Sequence, residues 1–270
     1  MSDAPRGSQQ ASRCDRSVRL AMLGRAPLFR DLDEAALARV EERCRAVACD
    51  SGEVLQHAGD PADTLWIVAS GAVKLSAVGP EGKPVLHDVV APGGSFGALR
   101  ALGDPVMPYD AVAYRPGCLL AISADTFRAL LREVPAVALA ALEATADRLR
   151  DAERSVESLA TLPVEGRLAA TLLRLARKSD ASSAHGTRTS GVKMHSGPNR
   201  APHSRTTDGA SPAPLRVDVA PSQVDLAAMT GTSAESVSRV FARWRAAGLI
   251  EVDRDGLVLR DVEGLAAFAS

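Results

Sequence analysis

The sequence contains no apolar run near the ~20 residues that a bilayer crossing needs, and its first stretch, MSDAPRGSQQASRCDRSVR, is polar and charged. Neither a membrane span nor a secretory signal is expected, and the compartment that follows is the cytoplasm. Cysteine is scarce. Cys14, Cys44, Cys49 and Cys118 are scattered without a CxxC pair, which in such a compartment argues for reduced thiols rather than a disulfide framework. The chain also lacks a nucleophile elbow, a phosphate loop and an HExxH pair, so no enzymatic activity is expected. Net charge is nearly absent too, at −1. Any contact with a polyanion must then come from a local basic face.

What is present divides the 270 residues into unlike pieces, and a chain of this length can hold two domains with their own cores. Residues 1–27 read as an N-terminal tail. From 28 to 133, short apolar runs such as Leu65-Trp66-Ile67-Val68, Val73-Lys74-Leu75 and Val85-Leu86 alternate with glycine and proline. That is the pattern of an antiparallel sandwich or barrel. A short helix precedes it, with Asp33 as cap and Leu37, Val40 and Cys44 on one face. Residues 134–162 turn to alanine, leucine and charge without glycine, predicting one long helix. Leu142, Leu149 and Val156 recur every seven positions, with Ala138, Thr145, Ala152 and Leu159 between them. This is an a/d seam for a parallel homodimer; the plainer alternative is a single helix lying on its own domain.

Residues 163–270 begin with a further amphipathic helix carrying Leu168, Leu172 and Leu175 on one side. The stretch 179–214 has almost no bulky apolar side chain and reads as a disordered insert. After it, Pro221 to Trp244 carries the most information. Ser222 can cap a helix with Val224, Leu226 and Ala227 inward, and Gly231 suits a tight turn that requires positive φ. Thr232 is expected to open a second helix, with Val237, Val240, Phe241 and Trp244 in the core. Two strands around Asp255-Gly256 follow as a wing. This is a winged helix-turn-helix, whose second helix enters the major groove of double-stranded DNA.

With these motifs in view, the chain resembles the Crp/Fnr superfamily over nearly everything from Leu28 onward except the insert, through SGAVKL, EGRLAATLLRLA and DLAAMTG…ESVSR…GLI. The resemblance implies an α+β fold: an N-terminal double-stranded β-helix sensor like a cyclic nucleotide-binding jelly roll, a long dimerisation helix and the winged helix-turn-helix. It further implies a homodimeric, effector-responsive transcription regulator, an activator that also contacts RNA polymerase. Glu235-x-x-Ser238-Arg239 is similar to the recognition signature of the fumarate–nitrate branch, associated with palindromic TTGAT-type sites. The chemistry agrees: arginine can bind guanine bidentately and glutamate can accept from cytosine. The DNA-contact set is Thr232, Glu235, Ser236, Ser238, Arg239 and Arg243. Two plainer roles stay open. Thr232 and Glu235 would also make a capping box, and Arg239 or Arg243 could touch phosphate alone.

The resemblance places the effector pocket at Gly97, Ala98, Leu99, Arg100 and Tyr109. Where cyclic nucleotide-binding relatives carry a glutamate for the ribose and an arginine for the phosphate, this chain has Ala98 and Met107-Pro108-Tyr109. Cyclic AMP is therefore not the expected effector. An iron–sulfur cluster is not expected either, because only Cys14 lies where the family's oxygen sensors hold three cysteines. Haem stays open, with His57 and His87 as the axial candidates. The effector itself is unidentified. The alternative reading is a regulatory ligand-binding protein, or a haem-based gas sensor without cyclic-nucleotide response.

Overall fold

A computed structural model describes residues 15–79, 82–97, 99–184, 213–253 and 256–270. The chain opens on helices α1 (Arg16–Arg25) and α2 (Glu34–Glu42), then enters a six-stranded antiparallel sheet. Its strands are β1 (Arg45–Cys49), β2 (Val54–Gln56), β3 (Thr64–Val78), β4 (Pro84–Val90), β5 (Ser95–Gly97) and β6 (Asp110–Ser123), with the short helix α3 (Leu99–Leu102) before β6. The path runs β1-β6-β3-β4, with β2 also on β6 and β5 also on β3.

Strands β3 and β6 form the spine. The sequence reading split β3 into two short strands at Ser70-Gly71, whereas the structure carries it through as one strand of 15 residues. Register shifts between Val68 and Val73 absorb the break. Gly71 has φ +82°, and a Cβ on Gly117 opposite would lie 2.0 Å from the Ser70 carbonyl. Only glycine lets the two strands cross this closely, so what looks like a turn signal is a bulge. Leu65, Ile67 and Ala69 then face a core shared with Leu23, Val40, Phe127 and Val137, while Trp66, Val68, Val73 and Leu75 line the interior of the roll. The period-2 geometry of a strand buries both faces here.

Three expectations are corrected in this half. Residues 16–25 are not tail but helix α1, with Leu23 fully buried and Arg16 and Arg19 bonded to Glu41 at 3.1 and 2.7 Å. Its arginines disguise a short apolar face. Cys44 lies beyond α2, its thiol donating to the Val40 carbonyl. Cys44 carries a free thiol, but Cys118 is disulfide-bonded rather than reduced. Pairing depends on which segments the fold brings together, which sequence spacing does not report.

Helix α4 (Ala124–Glu133) packs beneath the sheet and leads to α5 (Pro135–Thr161), the long helix. Proline at its first position suits a start where the amide has no helical partner. Leu142, Leu149, Val156 and Leu159 are exposed along it. Helix α6 (Val164–Ala184) runs six residues into the stretch read as an insert, because its 168/172/175 stripe anchors it in a core; residues 185–212 lie outside the described residues. Strand β7 (Leu215–Val217), helices α7 (Gln223–Thr230) and α8 (Ala234–Ala246), strands β8 (Ile250–Val252) and β9 (Leu257–Leu259), and helix α9 (Val262–Phe268) complete the second domain. Its sheet has the order β7-β9-β8. The β7 strand was hidden at the edge of the supposed insert. No helix among the described residues is long and apolar enough to cross a membrane.

Candidate nucleic-acid interface and effector pocket

Helix α7 starts at a complete capping box. The Ser222 hydroxyl accepts from the Asp225 amide at 3.1 Å, and the Asp225 carboxylate accepts from the Ser222 amide at 3.0 Å. Leu226 and Ala227 point inward as expected, but Val224 is exposed. Gly231 ends the helix at φ +60°, the left-handed conformation that a C-cap favours. The turn then places Ser233, not Thr232, as the cap of α8, its hydroxyl accepting from the Ser236 amide at 3.2 Å. The expected helix start at Thr232 is thus corrected by one residue, and with it the alternative Thr232–Glu235 capping box. Glu235 instead pairs with Arg239.

Val237, Val240, Phe241 and Trp244, spaced three and four apart, bury one side of α8 in the domain core. That forces Glu235, Ser238 and Arg239 onto the opposite side, exposed at the start of the helix. The Glu235–Arg239 pair, 3.4 Å apart with side chains 78% and 67% exposed, contributes only about 0.3–0.5 kcal/mol. Arg239 also donates to the half-buried Ser236 hydroxyl at 3.4 Å. Such weak contacts orient the groups and leave them readily exchanged for other partners. Arg243 behaves differently. It donates to Glu165 at 2.7 Å, and the same carboxylate accepts from the Trp244 indole at 2.8 Å. Glu165, in the first turn of α6, therefore ties Arg243 to its own domain, a partner invisible at 78 residues' separation. In the wing, Arg216 holds Asp253 through two bonds of 2.9 and 3.0 Å; Arg254 and Asp255 at its tip lie outside the described residues.

The reading domain is fastened to the sensor through α7. Lys74, from β3, donates to Asp225 at 2.6 Å and lies 4.0 Å from the centre of the Tyr114 ring. Burial would push the Asp225 carboxyl up, but bonds from Lys74 and Ser222 outweigh it and hold the group below the usual carboxylate range. Around this pair, Ala72, Leu86 and Val89 of the sensor pack on Val219, Ala228 and Met229. The sequence reading missed Lys74 and Asp225. An Asp three residues after a Ser cap was a legible capping signal, but its second role needs the tertiary fold.

Of the expected effector pocket, the structure brings together Gly97 and Tyr109. Tyr109 is mostly enclosed, its hydroxyl held up in pKa chiefly by burial, with the Gly97 backbone and Arg148 acting the other way. Arg148 arrives from α5 and donates to the Ser95 carbonyl, a neighbour the sequence gave no means of pairing. Met107 is fully buried in the roll core. Ala98 and the side chains of Leu99 and Arg100 lie outside the described residues. Of the haem candidates, His57 and His87 do not fit. His57 is exposed, with Nδ1 3.5 Å from Asp110, and His87 is exposed with its ring 6.0 Å from that of Tyr109. Neither supplies the enclosed axial position that a haem needs.

A roll-shaped sensor joined by a long helix to a winged helix-turn-helix defines an effector-responsive, DNA-binding regulator of transcription. Residues 46–134 match the cyclic nucleotide-binding domain family and residues 166–268 the Crp-like helix-turn-helix domain family. The chain is 25% identical over 245 residues to a CRP-like cAMP-activated global transcriptional regulator of Mycobacterium tuberculosis, covering 91% of this chain and 97% of the relative. It is 34% identical over 129 residues to the cyclic AMP receptor protein of Thermus thermophilus, covering 47% and 59%. Among solved structures, FixK2 from Bradyrhizobium japonicum shares the fold with a TM-score of 0.64 at 18% identity, covering 84% of this chain and 98% of that one. With both domains matched in this order, the chain belongs to the Crp/Fnr superfamily of transcription regulators.

Proposed function

We propose that this regulator acts as a homodimer on a palindromic TTGAT-type site, reading each half-site with Glu235, Ser238 and Arg239. The observation that carries this reading is the exposed face at the start of α8, set opposite its buried apolar stripe. Arginine in that position has the fork geometry for guanine O6 and N7, and the neighbouring glutamate can accept from cytosine N4. Thr232 and Ser236 flank the face and serve phosphate or backbone ordering. Arg243 acts through Glu165, positioning the helix. Dimerisation runs through the exposed seam of α5 and sets the spacing of the two recognition helices. Activation and a contact with RNA polymerase follow the family resemblance, and transcription in vitro with purified polymerase tests both.

The effector is a small molecule other than cyclic AMP. A cyclic phosphate entering the roll would carry a full charge into a partly enclosed site, where desolvation is costly without a cation or donor set. Met107 is committed to the core, and Arg148, the nearby cation, already bonds the Ser95 carbonyl. The mycobacterial relative, a cAMP-activated regulator, favours cyclic AMP as the competing reading. Calorimetry with cyclic AMP and cyclic GMP separates the two. No saturable binding supports the proposal, and a micromolar or tighter dissociation constant for either nucleotide overturns it.

A further inference from the structure

Adjoining the Gly97–Tyr109 pocket at Ser95 and Arg148, a cleft of about 850 Å3 opens between α5, the sensor strand β4 and α6. Nine Lys or Arg side chains line it against four Asp or Glu, in a chain whose net charge is −1. The positive excess is therefore a property of the cleft, not of the molecule. Three elements supply it, and α6 supplies it in order: Arg167, Thr171, Arg174 and Lys178 fall at i, i+4, i+7 and i+11, one stripe along a face whose opposite side is the leucine core. Of the dimer seam on α5, Leu142, Leu149 and Val156 do not border the cleft, and only its C-terminal Leu159 does.

Cations of the cleft share carboxylates. Lys178 bonds Asp88 at 2.9 Å and Asp151 at 3.3 Å, while Arg174 approaches Asp88 at 3.8 Å and Arg154 approaches Asp151 at 3.9 Å. Asp88 and Asp151 are thus each approached by two cations. Deeper in, Arg167 Nε is buried and, among the described residues, has no hydrogen-bond partner. A buried guanidinium donor left unpaired is rare in folded proteins, and here it belongs to a residue lining the cleft. Guanidinium groups take phosphate oxygens two at a time, in fixed fork geometry. The cavity is far larger than one phosphate and lies within the range that holds drug- or nucleotide-sized molecules.

We propose that this cleft is a second ligand site, for a nucleotide-sized molecule carrying two or more phosphate charges, with Arg167 and Arg174 as its principal phosphate ligands and Lys178 shared with Asp88. The site borders the effector pocket of the roll at Arg148 and Ser95, but its phosphate ligands Arg167 and Arg174 come from α6. It also has a mechanical consequence. Asp88 belongs to the sensor and Arg174 and Lys178 to the reading domain, so a polyanion that draws the two cations away loosens one of the ties between the domains.

Calorimetry on the full chain with ATP, inorganic tripolyphosphate and adenosine tests this. ATP and tripolyphosphate are expected to bind once per chain, with affinity falling as salt rises, and adenosine not at all. Arg167→Gln should weaken ATP at least tenfold, whereas Tyr109→Phe should leave it unchanged. Arg174→Gln, with the same expected loss, is the second variant should Arg167→Gln fold poorly by melting temperature. Absence of saturable binding overturns the proposal. So does an affinity untouched by both arginine variants, which would place the phosphates on another basic face such as the DNA-reading one. Loss in Tyr109→Phe equal to that in Arg167→Gln would place the ligand in the roll and overturn it as well.

Discussion

Replacing Leu149 by aspartate probes the link between the long helix and everything the protein does on DNA. Leu142, Leu149, Val156 and Leu159 are 50–68% exposed in a single chain, so pairing two α5 helices would remove up to half to two-thirds of each side chain from water. At full burial a leucine or valine contributes about 1.5–3 kcal/mol, so each seam residue contributes about 1–2 kcal/mol. Leu149→Asp deletes two such contributions, one per chain, for about 2–4 kcal/mol. Two carboxylates facing each other in a drying seam add at least about 1–2 kcal/mol. Together these come to about 3–6 kcal/mol, or two to four orders of magnitude in the dimer dissociation constant. Sedimentation velocity across a concentration series reads this directly, with circular dichroism to confirm that the helices persist. The variant should sediment as a monomer at concentrations where the wild type is dimeric, and it should lose binding to a palindrome while keeping weak binding to random duplex. A dimer constant within tenfold of wild type would refute the reasoning and leave α5 as a helix lying on its own domain.

Two further perturbations test the interior. Trp244→Phe keeps an aromatic ring between Phe241 and Phe268 but removes the indole bond to Glu165; a bond to a charged acceptor contributes about 1.5–3 kcal/mol, and denaturant unfolding of the variant should show that loss. The Glu41 carboxyl is held below its usual 4.5 because bonds from Arg19 and Arg16 outweigh the effect of burial. Its stabilising contribution is therefore full above pH 4.5 and disappears as pH falls through the lower folded value. Glu41→Gln should lower stability at neutral pH and flatten the acid limb of a stability profile, and an unchanged limb would show that the two arginines do not act on this group.

How far the sequence could be read depended on whether a signal was local. The Ser222 cap, the Gly231 turn and the Val237/Val240/Phe241/Trp244 stripe are all set within a few residues, and all three were legible. The cap of α8 slipped by one because Thr232 and Ser233 are chemically equivalent caps, and only the turn geometry chooses between them. The glycine bulge in β3 failed for the opposite reason: Ser70-Gly71 reads as a turn unless Gly117 is known to cross it. Glu165 with Arg243, Lys74 with Asp225 and Arg148 with Ser95 are 78, 151 and 53 residues apart. No periodicity reports pairs at such range. Helix α1 was missed because the mostly polar and charged residues before it set the tone of the whole N-terminus, although Leu23 and Met22 seat it in the core.

The central claim is that the exposed face of α8 reads base sequence, and the measurement that tests it most directly is fluorescence anisotropy of wild type and Arg239→Ala on two labelled duplexes. One carries a TTGAT-type palindrome and the other the same bases scrambled, both at a fixed, stated salt concentration because phosphate contacts make every affinity salt-dependent. Wild type should bind the palindrome at least ~10³-fold more tightly than the scramble. Arg239→Ala should lose about 1–3 kcal/mol per half-site on the palindrome and little on the scramble, collapsing that ratio. An equal loss on both duplexes would make Arg239 a phosphate contact, and a wild type that does not distinguish the two would contradict the assignment of this face to sequence reading.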